Sequence, residues 1–315
     1  MNPVLPTPAA PATAARPTVG ARTGALTAGL ARLTRPDQWP KNVVVIGVPL
    51  LDPLSWSRAG LTDLAGAIVA FTLASVLVYV LNDLLDRHRD ADNPERWHRP
   101  IASGQVSPRV AAVFAGGVAA LLVALLALQS AATAWPVAAY LLLNLAYSLG
   151  LKHVPPLDVF LVAGGFVLRL TYGYLATGAP IPGWLLTAVF TLCLLLVLGK
   201  RRQELHATGA AHRPALRGYT VALTEQLMQL SAALTAGSYL LYLRDEAPLG
   251  AYDATAVVVL TPMAVFGLFR YLQLVLVQNA GGNPVRTLRD PVLVTNTALW
   301  AVLSGVLLLA ARGQG

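Results

Sequence analysis

Long runs of apolar residues separated by short polar joints are the dominant feature of this sequence. A helix needs about 20 apolar residues to cross a bilayer core, and eight runs of roughly that length follow one another. They occupy residues 61–81, 110–129, 132–149, 157–177, 183–199, 226–243, 252–277 and 291–311. A ninth, weaker run covers residues 38–54, where Pro40 and Pro49 interrupt it, and its alternative is an interfacial segment. The pattern predicts an all-α, polytopic membrane protein with nine transmembrane helices.

The composition supports this class and excludes several others. Hydrophobic residues make up 56% of the chain, charged residues 12%, and the mean hydropathy is +0.60, whereas soluble domains carry about 25% charged residues. A single cysteine, Cys193, excludes a disulfide scaffold. Residues 1–24 are rich in Ala, Pro and Thr, which predicts a disordered tail rather than a signal peptide. Residues 25–315 then form the transmembrane domain.

The basic residues are distributed unevenly across the predicted membrane. With nine spans, 18 of the 23 lysines and arginines fall on one side, three on the other and two within spans. The positive-inside rule therefore predicts a multi-pass protein of the plasma membrane with its N-terminus and basic joints in the cytoplasm. Because topology accounts for the net charge of +8, we expect no nucleic acid partner.

An acidic cluster at the cytoplasmic end of the second span is the strongest chemical signal. It contains Asn82, Asp83, Asp86 and Asp90, which fall within an arc of about 100° on a regular helix. Carboxylates crowded in this way repel one another unless a cation lies between them, and hard oxygen donors suit Mg²⁺ together with substrate phosphates. The four residues predict a Mg²⁺ site in which the three aspartates are catalytic. The alternative is a solvated loop with a helix cap.

These residues carry a resemblance to a known family. The pattern Asn-Asp-x-x-Asp-x-x-x-Asp resembles the first aspartate-rich motif of the UbiA superfamily of intramembrane prenyltransferases. The run Arg99-Pro100-Ile101-Ala102-Ser103-Gly104 resembles the segment after that motif, and so does Tyr147-Ser148 with Lys152 further on. The resemblance extends over nearly the whole chain from about residue 30. It implies nine transmembrane helices around a central cavity, with the motif binding a diphosphate through Mg²⁺.

The joint between the sixth and seventh spans departs from the general family pattern. Most members carry a second aspartate cluster there, whereas this chain has one glutamate and a set of basic residues, namely Lys200, Arg201, Arg202, Glu204, Arg213 and Arg217. This exchange replaces metal-mediated phosphate binding with direct contacts from Lys and Arg. The alternative is that these charges serve only as a topology signal.

The same joint is similar to one branch of the family. Its Gly-Lys-Arg-x-x-Glu and Arg-Pro-x-Leu-x-x-Tyr-Thr segments are similar to decaprenyl-phosphate phosphoribosyltransferases, and residues 38–42 resemble the N-terminal signature of that branch apart from Pro40. The resemblance implies that phosphoribose moves from phosphoribosyl diphosphate to a polyprenyl phosphate. The expected substrate-binding residues are Lys41, Asn42, Arg99, Lys152, Asp158, Arg169, Lys200, Arg201, Glu204 and Tyr219.

Several alternatives stay open at this point. The alternative to a substrate-binding role for Asp158 is an N-cap of the fifth span. The alternative for Arg169, which lies inside that span, is a side chain that snorkels to the membrane interface. One rival function is prenyl transfer to an aromatic acceptor, which would need Mg²⁺ at both joints. The other is transport of an anionic substrate, for which we find no convincing inverted repeat. A homo-oligomer is compatible with the sequence.

Overall fold

The computed structural model describes residues 19–43, 57–208, 214–278 and 289–313, and every regular element in these ranges is a helix. The ten α-helices are α1 Val19–Leu33, α2 Arg58–Leu85, α3 Arg87–Ala91, α4 Pro108–Ala127, α5 Ala131–Leu149, α6 Leu157–Thr177, α7 Gly183–Thr208, α8 Val221–Asp245, α9 Asp253–Leu276 and α10 Pro291–Arg312. The eight long ones, α2 and α4 to α10, coincide with the eight strong apolar runs. The prediction of an all-α, multi-pass membrane protein is confirmed.

The N-terminal part of the chain is helical earlier than its composition predicts. Helix α1 includes residues 19–24, which the composition assigns to the tail, while residues 1–18 lie outside the described residues. The weak first span begins as the 3₁₀ helix Pro36–Val43, and residues 44–56 lie outside the described residues as well. The count of nine spans and the central cavity therefore stay predictions.

Helix α8 differs from the other long helices in its share of polar residues within the bundle. Seven of the eight are apolar enough to cross a membrane, and α8 is the exception. Its buried face carries hydroxyl groups at helical spacing, at Thr224, Ser231, Thr235 and Ser238. Thr235 donates to the Thr191 hydroxyl of α7 at 2.9 Å, and Ser231 donates to a carbonyl of its own helix. These internal acceptors satisfy hydroxyls that lipid would leave unpaired.

Helix α7 extends beyond the predicted end of its span. The apolar run ends at residue 199 and predicts a joint directly after it, but α7 continues to Thr208 and places Lys200, Arg201, Arg202 and Glu204 on its last turns. Lys, Arg, Gln and Glu are good helix formers, and no proline or glycine interrupts the sequence between Lys200 and Thr208. Loss of hydropathy therefore does not mark the end of the helix here.

The chain divides into two compact units, of which residues 19–36 and 79–115 form the described part of the first. In this unit α1 packs on the loop before α4. Leu33 and Val106 are fully buried, and a Cβ atom added at Gly29 would lie 2.6 Å from Val106 Cγ2. Arg32 also donates a hydrogen bond to Gln105. The close approach at Gly29 fixes α1 against this loop.

The second unit contains residues 37–78 and the chain from residue 116 onward. Its helices α5 to α10 pack largely in chain order, and the most extensive packing joins α7 to α8. Fully buried side chains such as Phe71, Tyr172, Leu195 and Met228 form its core. A cis peptide bond joins Pro155 to Pro156 just before α6.

Candidate active site

The aspartate-rich segment is bent at its middle residue. Helix α2 ends at Leu85 and α3 begins at Arg87, and Asp86 lies between them with φ −89° and ψ 1°. The backbone N–H groups of Asp86 and Asp90 still donate to the carbonyl groups of Asn82 and Asp86, both at 2.8 Å. The predicted helical arc is therefore interrupted by one bend, although the hydrogen bonding continues through it.

Two of the predicted metal ligands converge on one guanidinium. Asp83 and Asp90 are almost completely buried, at 2% and 1% exposure. Arg99 Nη1 donates to Asp83 Oδ1 at 3.1 Å and to Asp90 Oδ2 at 2.6 Å. A single nitrogen atom thus bridges both carboxylates and supplies the cation that their mutual repulsion demands.

A second arginine reaches the same carboxylate from the N-terminal segment. Arg35 Nη2 donates to Asp83 Oδ1 at 2.5 Å, and its guanidinium lies 4.9 Å from the centre of the Tyr79 ring. Among the described non-glycine residues only Arg35 has a positive φ, at 47°. The sequence motifs did not single out Arg35 as a site residue. Its position just before Pro36 marked a constrained backbone, but nothing in the sequence indicated its partner.

The other two predicted ligands, Asn82 and Asp86, are both partly exposed. An arginine nitrogen, Nη1 of Arg89, lies 3.8 Å from the Oδ1 atom of Asp86. Within the described ranges, no three side chains of His, Cys, Asp or Glu are grouped closely enough to hold a metal ion. The donor types nevertheless suit Mg²⁺, and a cationic nitrogen already lies between Asp83 and Asp90. The residues therefore fit a divalent cation by their chemistry.

The basic residues at the end of α7 differ in their surroundings. Lys200 is exposed, whereas Arg201 is buried at 3% exposure. Arg201 Nε donates to Asp158 Oδ2 at 3.0 Å, and its Nη1 donates to Glu204 Oε2 at 2.7 Å. Three of the predicted substrate-binding residues, Asp158, Arg201 and Glu204, are thus brought into one ion-pair network.

Asp158 is fully buried at the start of α6, where it also accepts a hydrogen bond from Tyr219. The Tyr219 hydroxyl donates to Asp158 Oδ1 at 2.6 Å. The N-cap of α6 is Pro156, with no side-chain cap. Asp158 therefore acts as the acceptor that joins α6 to the end of α7 and to the segment before α8, which answers the N-cap alternative.

Arg202 faces a different neighbour. Its Nε donates to Glu225 Oε1 at 2.7 Å, and its Nη1 donates to the carbonyl oxygen of Val275 at 2.9 Å. Carbonyl groups in the last turn of a helix lack partners within the helix. The Arg202 guanidinium at the end of α9 therefore satisfies one of them and interacts favourably with the negative end of the helix dipole. Of the three consecutive basic residues, only Lys200 is exposed.

Arg169 lies inside the bundle of the second unit. It is 6% exposed, and its guanidinium lies between 4.6 and 5.4 Å from the ring centres of Phe71, Tyr140 and Phe166. Nε donates to Asn42 Oδ1, and Nη2 donates to the Tyr140 hydroxyl, both at 2.9 Å. The side chain is held internally rather than extended toward an interface, so it does not snorkel.

The remaining predicted substrate contacts lie on 3₁₀ helices. Asn42 is 1% exposed, and its amide donates to Thr72 at 3.2 Å in addition to accepting from Arg169. Its neighbour Lys41 is exposed and donates to Gln38. Lys152 is partly buried on the 3₁₀ helix Leu151–His153.

Sequence comparison places this arrangement in a known family. A sequence profile of the UbiA prenyltransferase family matches residues 50–287. The chain belongs to this family. Two relatives, both decaprenyl-phosphate phosphoribosyltransferases, come from Mycolicibacterium smegmatis and Corynebacterium glutamicum. The first is 33% identical over 82% of this chain and 85% of the relative, and the second is 33% identical over 68% and 67%. This UbiA-family chain is therefore an enzyme of the transferase class.

Structural comparison agrees with the family assignment. A UbiA homolog from Archaeoglobus fulgidus, solved with GPP and Mg²⁺, superposes with a TM-score of 0.62. The match covers 90% of this chain and 98% of the homolog at 17% sequence identity. At that identity the likeness establishes the UbiA fold alone.

Proposed function

We propose that this enzyme transfers phosphoribose from 5-phosphoribosyl 1-diphosphate to a polyprenyl phosphate, with Mg²⁺, at the cytoplasmic face of the membrane. The observation that carries the proposal is the 33% identity to named decaprenyl-phosphate phosphoribosyltransferases over most of the chain. The basic end of α7, which stands where the general family has its second aspartate cluster, supports the same choice. The distribution of lysines and arginines supports the cytoplasmic face.

The reaction balances without a strong general base. The bond from ribose C1 to the diphosphate oxygen breaks, and an anionic oxygen of the lipid phosphate forms the new bond to C1. Inorganic diphosphate leaves with the bonding electron pair, and no proton must move. Positive charge develops on the ribose, as in other glycosyl transfers. A site without a histidine or cysteine nucleophile can catalyse this chemistry.

The acidic segment supplies the metal-binding groups in this proposal. Asp83 and Asp90 would hold Mg²⁺, with Asn82 and Asp86 contributing from the adjoining turns. When bound, the metal neutralises charge on the leaving diphosphate. The A. fulgidus homolog was solved with Mg²⁺ and a prenyl diphosphate, which supports a divalent cation in this family.

The basic residues then divide into binding and positioning groups. Lys200 and Lys41 are exposed, so we assign them, with Lys152, to the phosphate groups of donor and acceptor. Arg201 is already paired with Asp158 and Glu204, and we assign these three and Tyr219 to holding the end of α7 in place. Arg169 donates to Asn42, so we assign it to positioning the segment that carries Lys41.

The experiment uses the purified full-length protein in detergent with decaprenyl phosphate and phosphoribosyl diphosphate labelled in the ribose. We expect label in the extracted lipid, dependent on both substrates and on Mg²⁺. Parallel reactions contain a prenyl diphosphate and an aromatic acceptor, and an Asp83→Asn variant serves as the inactive control. If the wild-type protein consumes only the prenyl diphosphate, the phosphoribosyl assignment is wrong while the UbiA fold stands.

A further inference from the structure

We propose that Arg35 and Arg99, here called the arginine latch, compete with the metal for Asp83 and Asp90 and transfer to the diphosphate when the metal binds. In this scheme the enzyme binds free Mg²⁺ weakly and takes up metal together with diphosphate. The inference rests on the proposed function, because it assumes a diphosphate donor and a metal at the aspartates.

The first support is the geometry of the bridge. One nitrogen of Arg99 contacts Asp83 Oδ1 and Asp90 Oδ2, and Arg35 contacts that same oxygen of Asp83. Arg96 is a third, more exposed guanidinium, and its Nη1 lies 3.7 Å from the other oxygen of Asp90, Oδ1. A metal ion cannot coordinate both carboxylates through these oxygens unless the guanidiniums move away. The latch and the metal therefore compete for the same atoms.

The second support is the layering of exposure. The side chains of Asp83 and Asp90 are each 2% exposed, whereas those of Arg35 and Arg99 are 28% and 23% exposed. The guanidiniums thus form the outer layer and the carboxylates the inner one. An anion arriving from solvent meets the arginines first, and their planar forks are suited to phosphate oxygens.

The third support is the backbone of Arg35. A φ of 47° is costly for a residue with a Cβ atom, and here it accompanies a guanidinium placed on Asp83 and over the Tyr79 ring. Strained backbone of this kind persists where surrounding contacts hold it, often at ligand-responsive sites. Release from Asp83 removes one of the contacts that hold it.

These observations predict a thermodynamic coupling. If metal alone displaces the latch, two arginine charges lose their carboxylate partners, which is unfavourable for partly buried groups. If diphosphate arrives with the metal, the same arginines gain anionic partners. Metal and diphosphate must then strengthen each other's binding by the same factor.

The test is Mn²⁺ binding by the purified full-length protein, measured by electron paramagnetic resonance at fixed free Mn²⁺, with and without inorganic diphosphate. For the wild type we expect diphosphate to raise Mn²⁺ affinity at least about tenfold. In Arg99→Gln we expect Mn²⁺ alone to bind about tenfold more tightly and the coupling to shrink toward unity. Arg35→Gln leaves the Arg99 bridge between the two aspartates in place. In this variant we expect Mn²⁺ affinity and coupling to change in the same direction as in Arg99→Gln, but by less.

A matched control distinguishes the latch from a general charge effect. Arg89 is exposed and lies 3.8 Å from Asp86, so Arg89→Gln removes the same charge near the motif without touching Asp83 or Asp90. Its Mn²⁺ affinity should stay within about twofold of wild type, since exposed pairs contribute little. If Arg99→Gln and Arg35→Gln bind Mn²⁺ no more tightly than Arg89→Gln, the arginines are fixed structural partners and the latch is wrong.

The outcome for the latch is separable from that for the reaction. Coupled Mn²⁺ and diphosphate binding in a protein that transfers no phosphoribose would overturn the proposed function and support the latch. Phosphoribosyl transfer without such coupling would support the function and overturn the latch.

Discussion

Arg201 and Asp158 form a buried ion pair in which the guanidinium Nε lies 3.0 Å from the carboxylate Oδ2. The residues are 43 positions apart and join the start of α6 to the end of α7. Lys200, the preceding residue, is exposed. Two adjacent basic residues that look equivalent in the sequence therefore have different roles, and substitution separates them.

Arg201→Ala should destabilise the protein. Removing one partner of a buried ion pair leaves an uncompensated charge, which typically costs about 3–5 kcal/mol, although Tyr219 still donates to Asp158. We expect a clear fall in the thermal unfolding temperature in detergent, and partial recovery in Arg201→Ala/Asp158→Asn. Lys200→Ala is the matched control and should unfold like wild type. Equal unfolding temperatures for wild type, Arg201→Ala and Lys200→Ala would contradict the structural role of Arg201.

Lys200→Ala should instead weaken the use of phosphoribosyl diphosphate. Losing one charged phosphate contact costs about 1.5–3 kcal/mol, so kcat/KM for that donor should fall by roughly ten- to a hundredfold at unchanged stability. The measurement is lipid labelling as a function of donor concentration. Arg109→Ala, another exposed residue on the predicted cytoplasmic side, should retain wild-type kinetics. A Lys200→Ala enzyme with unchanged kinetics would remove Lys200 from the substrate contacts.

The acidic segment should be required for turnover. Asp83→Asn and Asp86→Asn should each lower turnover by at least about a hundredfold, since a metal contributes several kcal/mol to stabilising charge on a leaving phosphate. Excess EDTA should stop the wild-type enzyme, and Mg²⁺ should restore it. Asp92→Asn changes an exposed aspartate just beyond α3 and should stay active. Full activity in EDTA would refute the metal assignment.

The distribution of basic residues predicts opposite sides for the second joint and the C-terminus. Single cysteines at Ser103 and Gly315 should react with an impermeant thiol reagent from opposite sides of sealed vesicles. The native Cys193 is buried and would be replaced by alanine as a precaution. Labelling of both sites from the same side contradicts the nine-span topology.

The stability of the N-terminal end of α10 should depend on the ionisation of Asp290. Hydrogen bonds from Arg270 and from the Leu293 N–H hold the pKa of Asp290 below its ordinary value. The stabilisation is thus present at neutral pH and is lost as the pH falls from the ordinary carboxyl pKa through the lowered one. Asp290→Asn should lower the unfolding temperature at pH 7. The difference in unfolding temperature between this variant and the wild type should become smaller as the pH is lowered. A difference that stays constant down to about pH 3, below the ordinary carboxyl pKa, would contradict this linkage.

The sequence predicted the helices well because hydropathy is a local property. All eight strong apolar runs became long helices, and the polar character of α8 is explained by pairs such as Thr235 with Thr191. The joint predicted directly after residue 199 was wrong, because residues 200–208 are polar but still continue the helix. The likeness of this joint to phosphoribosyltransferases agrees with the relatives.

The details of the candidate site depend on contacts between distant parts of the chain, which periodicity does not contain. Asp83 and Asp90 converge, but the bend at Asp86 was invisible in a pattern that assumes a regular helix. Arg35 meets Asp83 across 48 residues, and only the fold reveals that pairing. The Arg201 side chain is likewise buried because it pairs with Asp158, which is 43 residues away in the sequence.

Helix α7 is a single element of 26 residues, about 39 Å long at 1.5 Å per residue, against a hydrocarbon core of about 30 Å. Its surplus length carries Arg201 and Glu204, so the depth and tilt of the lipid-facing part set the position of the polar end. A thinner or thicker bilayer changes that tilt. The acyl-chain length of the host lipid should therefore affect the turnover rate. In a series of vesicles with increasing bilayer thickness, turnover should pass through an optimum.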